Sequence, residues 1–150
     1  YNLKNEEVWE SGTLTKISSA TKIGKKNQFV KGKRKKNGFD IDGSKFSGFV
    51  AGNPATTSYF SPDFLKRKIW ISTQDGDPLS VNATKIGPDM AKSVNGEIPA
   101  TLWKISGGLD LDLLYAADGK WLGSRFYAGG SQAEFLLKKS VGNMHSLWKI

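Results

Sequence analysis

Apolar and polar residues alternate one by one along much of this 150-residue chain, and short turn-forming dipeptides interrupt the alternation. A period of two places successive side chains on opposite faces of an extended backbone, so it describes half-buried strands rather than helices. The interruptions are Asn37-Gly38, Asp42-Gly43, Asp75-Gly76, Gly107-Gly108, Asp118-Gly119 and Gly129-Gly130. Pairs of this kind adopt the tight turns that join antiparallel neighbours. The strands read as 3–9, 12–18, 28–35, 39–42, 45–51, 68–73, 79–85, 98–105, 109–116, 121–128 and 133–139. A single helical turn is expected over Pro62–Lys66, with Ser61 as its N-cap and Pro62 in its first position. The predicted fold is all-β: an antiparallel meander of about 9–11 short strands, curved into a barrel or half-barrel, because open twisted sheets of that size rarely stay flat.

The last third of the chain sets its own register. Treating Asp118-Gly119 as a two-residue loop pairs Tyr115 with Leu122, Leu113 with Ser124 and Leu111 with Phe126. The same treatment of Gly129-Gly130 pairs Phe126 with Ala133, Ser124 with Phe135 and Leu122 with Leu137. Both turns agree on one apolar face, and a slip of one residue in either would destroy it. On that face Tyr115, Phe126, Leu122 and Phe135 are the candidates to line a site for an apolar or lipid-like ligand, should the concave interior be hollow. The reverse face aligns Asp112, Arg125 and Glu134 in a row across three strands. Asp110 and Asp112 resemble a pair of acid–base carboxylates, but the arginine opposite Asp112 makes that residue part of a structural ladder.

Charge is concentrated rather than spread. The net charge is +8, residues 22–36 hold eight cations and no acid, and the remainder balances 14 cations against 14 acids. Lys22, Lys25, Lys26 and Lys31 are the anion-binding candidates, suited to an anionic polymer such as a nucleic acid or acidic polysaccharide. The plainer reading is a solvated hairpin whose lysines discourage edge-to-edge pairing. Counting outward from Asn37-Gly38 sets Lys35 opposite Asp40 and Lys33 opposite Asp42, which would use part of the charge.

Several chemistries are excluded. The chain has no cysteine, so disulfides and thiolate metal sites are absent, and its one histidine, His145, gives no basis for a triad or a histidine metal site. It contains no nucleophile elbow, phosphate-binding loop or zincin helix motif. Neither cofactor nor metal is expected, and the protein is read as non-enzymatic. No apolar run reaches the ~20 residues needed for a membrane-spanning helix. Trp9, Trp70, Trp103, Trp121 and Trp148 read first as packing residues, with sugar stacking as the functional counterpart. With no linker and no repeat, residues 1–150 read as one domain, with 141–150 a tail of unassigned structure.

A set of ordered segments carries a resemblance. They are Glu7-Val8-Trp9 with Gly12 and Leu14; Pro54 to Phe60; Thr73-Gln74-Asp75-Gly76; and Leu114 to Trp121 followed by Arg125-Phe126. In this order and spacing, from Tyr1 to about Lys139, the chain resembles an uncharacterised family of exported bacterial proteins, domain of unknown function number 6134. The resemblance implies a periplasmic or secreted β-rich protein with no assigned activity, and carries over no catalytic residue. It also implies departures: tryptophan is expected where Phe60 stands, and Trp-Tyr-Asp where Leu114-Tyr115-Ala116 stands. Thr21 to Lys25 replaces an acidic and Asn-Gly stretch, so the basic segment is this chain's own. Family members carry further strands ahead of Tyr1, which implies a processed or trimmed chain. A sheet opened in that way would be suited to self-association or strand pairing. The functional expectation is carriage of an apolar ligand on the concave face, and the alternative is an anionic-polymer-binding or self-assembling module using residues 22–36.

Overall fold

A computed structural model describes residues 2–128 and 131–134, with side chains from Asn2 to Phe126. The strands are β1 (Asn2–Glu10), β2 (Thr13–Ile23), β3 (Lys26–Lys35), β4 (Gly38–Gly43), β5 (Ser47–Ala51), β6 (Ala55–Thr56), β7 (Ile69–Ile71), β8 (Pro78–Ser93), β9 (Gly96–Gly107), β10 (Leu111–Tyr115), β11 (Trp121–Ala128) and β12 (Ser131–Glu134). The all-β expectation holds, and the single helical turn falls on Pro62–Lys66 as a 3₁₀ helix. Ser61 caps it, its Oγ accepting from the Asp63 N–H at 3.2 Å. No closed barrel is found among the described residues, which corrects the closed form of the expectation. The tail 141–150, Phe135 and His145 lie outside the described residues.

The chain packs as two compact units, one formed by residues 2–58 with 67–79 and the other by residues 59–66 with those from 80 onward. In the first, β1 to β5 form an antiparallel sheet in sequence order, and β6 runs parallel to β7. The sheet's inner face carries Leu14, Ile17, Val30, Phe39, Ile41 and Val50, which pack with Ile71 of β7. Burying one such side chain contributes about 1.5–3 kcal/mol, so this row supplies the first unit's main cohesion. Residues 67–79 are tied across that face by polar contacts. Ser19 donates to the Thr73 carbonyl at 2.5 Å, and Gln74 Nε2 donates to Gln28 Oε1 at 2.6 Å. The Arg67 guanidinium donates to the Gly12 carbonyl at 2.5 Å and lies 5.5 Å from the Trp9 ring.

One glycine is set by close approach. Gly32 lies beneath the Phe39 ring, and a Cβ there would meet that ring and come within 2.8 Å of the Asp40 carbonyl oxygen. Glycine is the residue that lets a large aromatic lie flat on a neighbouring strand.

In the second unit β8 to β12 form an antiparallel meander. Its register confirms Leu111↔Phe126, Asp112↔Arg125, Leu113↔Ser124, Phe126↔Ala133 and Arg125↔Glu134. It corrects Tyr115↔Leu122: Tyr115 pairs with Trp121, across a bulge after Leu114. The cause is the loop. Ala116 N–H donates to the Lys120 carbonyl at 2.8 Å, so Ala117, Asp118 and Gly119 form a three-residue loop, with Gly119 at φ 89°. A turn followed by a left-handed glycine is the usual geometry of such loops. The bulge turns Leu122 away from Tyr115 and into a cluster with Leu114, Ala91 and Ala100.

Candidate functional site

The outward face of the five-stranded sheet can be mapped residue by residue from its register. β3 alternates Gln28 and Val30 inward with Phe29, Lys31, Lys33 and Lys35 outward. On β2, Lys16, Ser18, Ala20 and Lys22 share that outward face. Across the strands these make rows. One runs Val8, Lys16, Lys33, Asp40, Phe49, and the next runs Glu6, Ser18, Lys31, Asp42, Ser47. Between the two rows lies an open trough of about 650 Å³ that crosses the strands, floored by the backbone of Ile17, Gly32 and Ile41. The cations stand on the central strands β2 and β3, with carboxylates on β1 and β4 to either side.

The β3–β4 hairpin differs from its expected register. Lys35 pairs with Gly38, so the loop is Lys36-Asn37, with Asn37 at φ 63°. Lys33 therefore faces Asp40 and Lys31 faces Asp42, where Lys35–Asp40 and Lys33–Asp42 were expected. Moving a loop by one residue shifts the pairing by two, which keeps every side chain on its own face, so the lysine–aspartate pattern survives the change.

The four anion-binding candidates are not gathered in one place. Lys22 and Lys31 share the outward face, but Lys22 pairs with Asn27, and Asn27 lies four residues from Lys31, about 13 Å along the strand. Lys25 sits in the β2–β3 turn, and Lys26 opens β3 on the opposite alternation from Lys31. The structure adds Lys16 and Lys33, which face each other directly. Alternation from Lys31 would have found Lys33 and Lys35; Lys16 required the β2–β3 register, and its turn, Gly24-Lys25, has no strong dipeptide signal.

The four apolar-ligand candidates also separate. β10 is buried along its whole length, Leu122 joins the Leu114 cluster, Phe126 is half-buried opposite Leu111, and Phe135 is outside the described residues. Tyr115 borders a cleft of about 360 Å³ between the 3₁₀ helix and strands β8–β10. Its hydroxyl donates to the Tyr59 carbonyl at 2.6 Å, holding a residue whose φ is 62°. Burial, with a smaller effect from the Tyr59 phenol, pushes the Tyr115 hydroxyl far above the usual tyrosine range. The folded state keeps this phenol protonated, so its contribution is intact below the ordinary phenol pKa of about 10 and is lost as pH rises above it. Tyr115→Phe is expected to cost about 1–2 kcal/mol and to reduce the steepness of alkaline unfolding. Unfolding titrations from pH 8 to 12 check this, and an unchanged alkaline limb would refute it.

The register sets Asp112, Arg125 and Glu134 opposite one another on successive strands, with Lys104 opposite Asp112 on β9. Asp112 is 7% exposed and stands in register between two cations. Arg125 also donates to Asp89 Oδ2 and to the Met90 carbonyl, each at 3.2 Å. The Met90 N–H, and after it the guanidinium, hold the Asp89 carboxyl below its usual range despite partial burial.

A further cluster escaped sequence reasoning. The Glu7 carboxylate accepts from Asn5 and Trp9 on its own strand at 2.5 and 2.9 Å, and from Thr56 and Ser58 at 3.1 and 3.2 Å. It ties β1 to β6 from residues 49 and 51 positions apart, a separation that no local pattern reveals. Glu7, Trp9, Thr56 and Ser58 all belong to the segments that carry the family resemblance.

The structure thus defines an all-β protein with two largely antiparallel sheets and a cationic outer face on one of them. The chain belongs to the family described as Domain of unknown function (DUF6134), whose model matches residues 1–138. No curated protein and no solved structure matches it.

Proposed function

We propose that this protein works by binding, without catalysis, and that the outward face of β2 and β3 takes up an anionic polymer. The observation that carries this reading is the cross-strand pair Lys16–Lys33. Like charges directly opposite one another destabilise a sheet. Asp40 offsets Lys33 from the other side, but Lys16 has Val8 there, so no carboxylate faces it from either neighbouring strand. None of the ion pairs among the described residues engages Lys16, Lys22, Lys31, Lys33 or Lys35. A bound polyanion would neutralise these charges and release its own counterions. An exported location, which the family resemblance implies, favours an acidic polysaccharide as the polymer.

The test uses heparin as the probe across a salt series. Replacing Lys16, Lys31 and Lys33 together by serine should weaken binding at least tenfold and flatten the dependence of log K on log salt, by roughly 0.7–0.9 per lost contact on the scale known for nucleic acids. The single change Lys16→Ser should raise folding stability at low salt by about 0.2–1 kcal/mol, because it removes the repulsion. Unchanged affinity and slope in the triple variant would end this reading. Carriage of an apolar ligand in the interior of the meander has less support, because β10 is packed on both faces.

A further inference from the structure

We infer that the cleft beside Tyr115 in the second unit is a binding site for a small amphiphilic anion: one apolar body with one carboxylate or similar head group. This goes beyond the polymer reading, since it concerns the other unit and a ligand of a different size.

The cleft owes its existence to three local features. The 3₁₀ helix presents Pro62 and Leu65 on one side, and Trp103 of β9 stands on the other. Trp103 holds its place in a row with Lys85 and Leu113, just before the irregularity between Lys85 and Gly87. At the far end the chain turns through Ala116, Ala117 and Gly119, and these small residues leave open the space that a larger side chain would fill. The Tyr115 hydroxyl is committed to the Tyr59 carbonyl, so this residue offers the cleft its ring rather than a free proton.

The lining is apolar in its body and cationic at its edge. Lys66 and Lys85 border the cleft, and no carboxylate among the described residues does. Lys66 has only a 3.8 Å contact with Asp63, from a side chain 84% exposed, and no ion pair among the described residues takes up Lys85. Two lysine side chains that border an apolar hollow are complementary to a tail that ends in a negative charge. The volume, about 360 Å³, is at the small end of ligand sites, which run from about 300 to 1,000 Å³, so the occupant is one small molecule and not a two-chain lipid.

The full chain is titrated with decanoate, and with decanol as the uncharged counterpart, while backbone amide shifts are followed by NMR. Decanoate should produce saturable shifts at Leu65, Ala116, Ala117 and Gly119, and decanol should bind at least tenfold more weakly. Ala117→Leu, at an exposed loop position, should abolish the decanoate response by filling the hollow. Lys85→Gln, on an exposed side chain, should weaken decanoate about tenfold and leave decanol unchanged. Heparin binding should be the same in both variants, which separates this site from the lysine face. Absence of saturable shifts, equal affinity for decanoate and decanol, or unaltered decanoate binding in Lys85→Gln would overturn the proposal.

Discussion

Phe39→Ala is expected to destabilise the five-stranded sheet by about 3–5 kcal/mol, and Gly32→Ala by about 1–3 kcal/mol. Phe39 is fully buried among Leu14, Ile17, Val30 and Val50, and truncating it leaves a cavity that a β-sheet closes poorly. The glycine change acts in the opposite sense, by overfilling: the new methyl meets the Phe39 ring and the Asp40 carbonyl. The two costs should therefore not add. In a Phe39→Leu background the ring is gone, only the carbonyl contact remains, and Gly32→Ala should cost measurably less. A double-mutant cycle by chemical denaturation reads this coupling. Strict additivity would show that the ring does not depend on the missing side chain beneath it.

Trp70→Ala should lower stability by a similar amount, about 3–5 kcal/mol, with roughly 2–4 °C lost from Tm for each kcal/mol. Trp70 is fully buried on the short strand β7, opposite Ala55, and its indole N–H donates to the Arg67 carbonyl at 3.1 Å. Trp70→Phe separates the two contributions. It keeps most of the apolar volume and removes the donor, so a smaller cost, about 1–2 kcal/mol, is expected. Far-ultraviolet circular dichroism reads both variants independently of indole fluorescence. Equal losses for Ala and Phe would place the whole effect on the hydrogen bond.

What could be read from the sequence was local in origin. Alternation alone located β10 and β11, and the pairs Leu111↔Phe126 and Asp112↔Arg125 followed from counting back from one turn. Counting failed at the turn itself. Asp118-Gly119 reads as a two-residue loop, but a three-residue loop with a left-handed glycine is equally compatible with those two letters, and only the latter puts Leu122 beside Leu114. The second half of β8, Ile86–Ser93, lies beyond the strand expected over 79–85: Gly87 and Pro88 interrupt the alternation there, but a strand tolerates them at an irregularity. The parallel pairing of β6 with β7 was also missed, since two-residue strands carry no periodic signal. The basic segment was visible as composition, but its arrangement was not: the Lys16–Lys33 pair joins residues from two strands whose turn lacks a strong dipeptide signature. Of the cleft, the sequence reading reaches only Tyr115, because its other walls, Leu65, Trp103 and Ala117, come from three separate segments.

The interleaving of the two units restricts how the gene can be divided. Residues 59–66 leave the first unit, contribute to the second, and the chain then returns for 67–79, so no single cut yields both units intact. A fragment ending at Leu79 contains the first unit whole but carries an orphaned helix in its middle. A fragment beginning at Ser80 lacks that helix, lacks the Leu65 wall of the cleft, and leaves the Tyr115 hydroxyl without its Tyr59 acceptor.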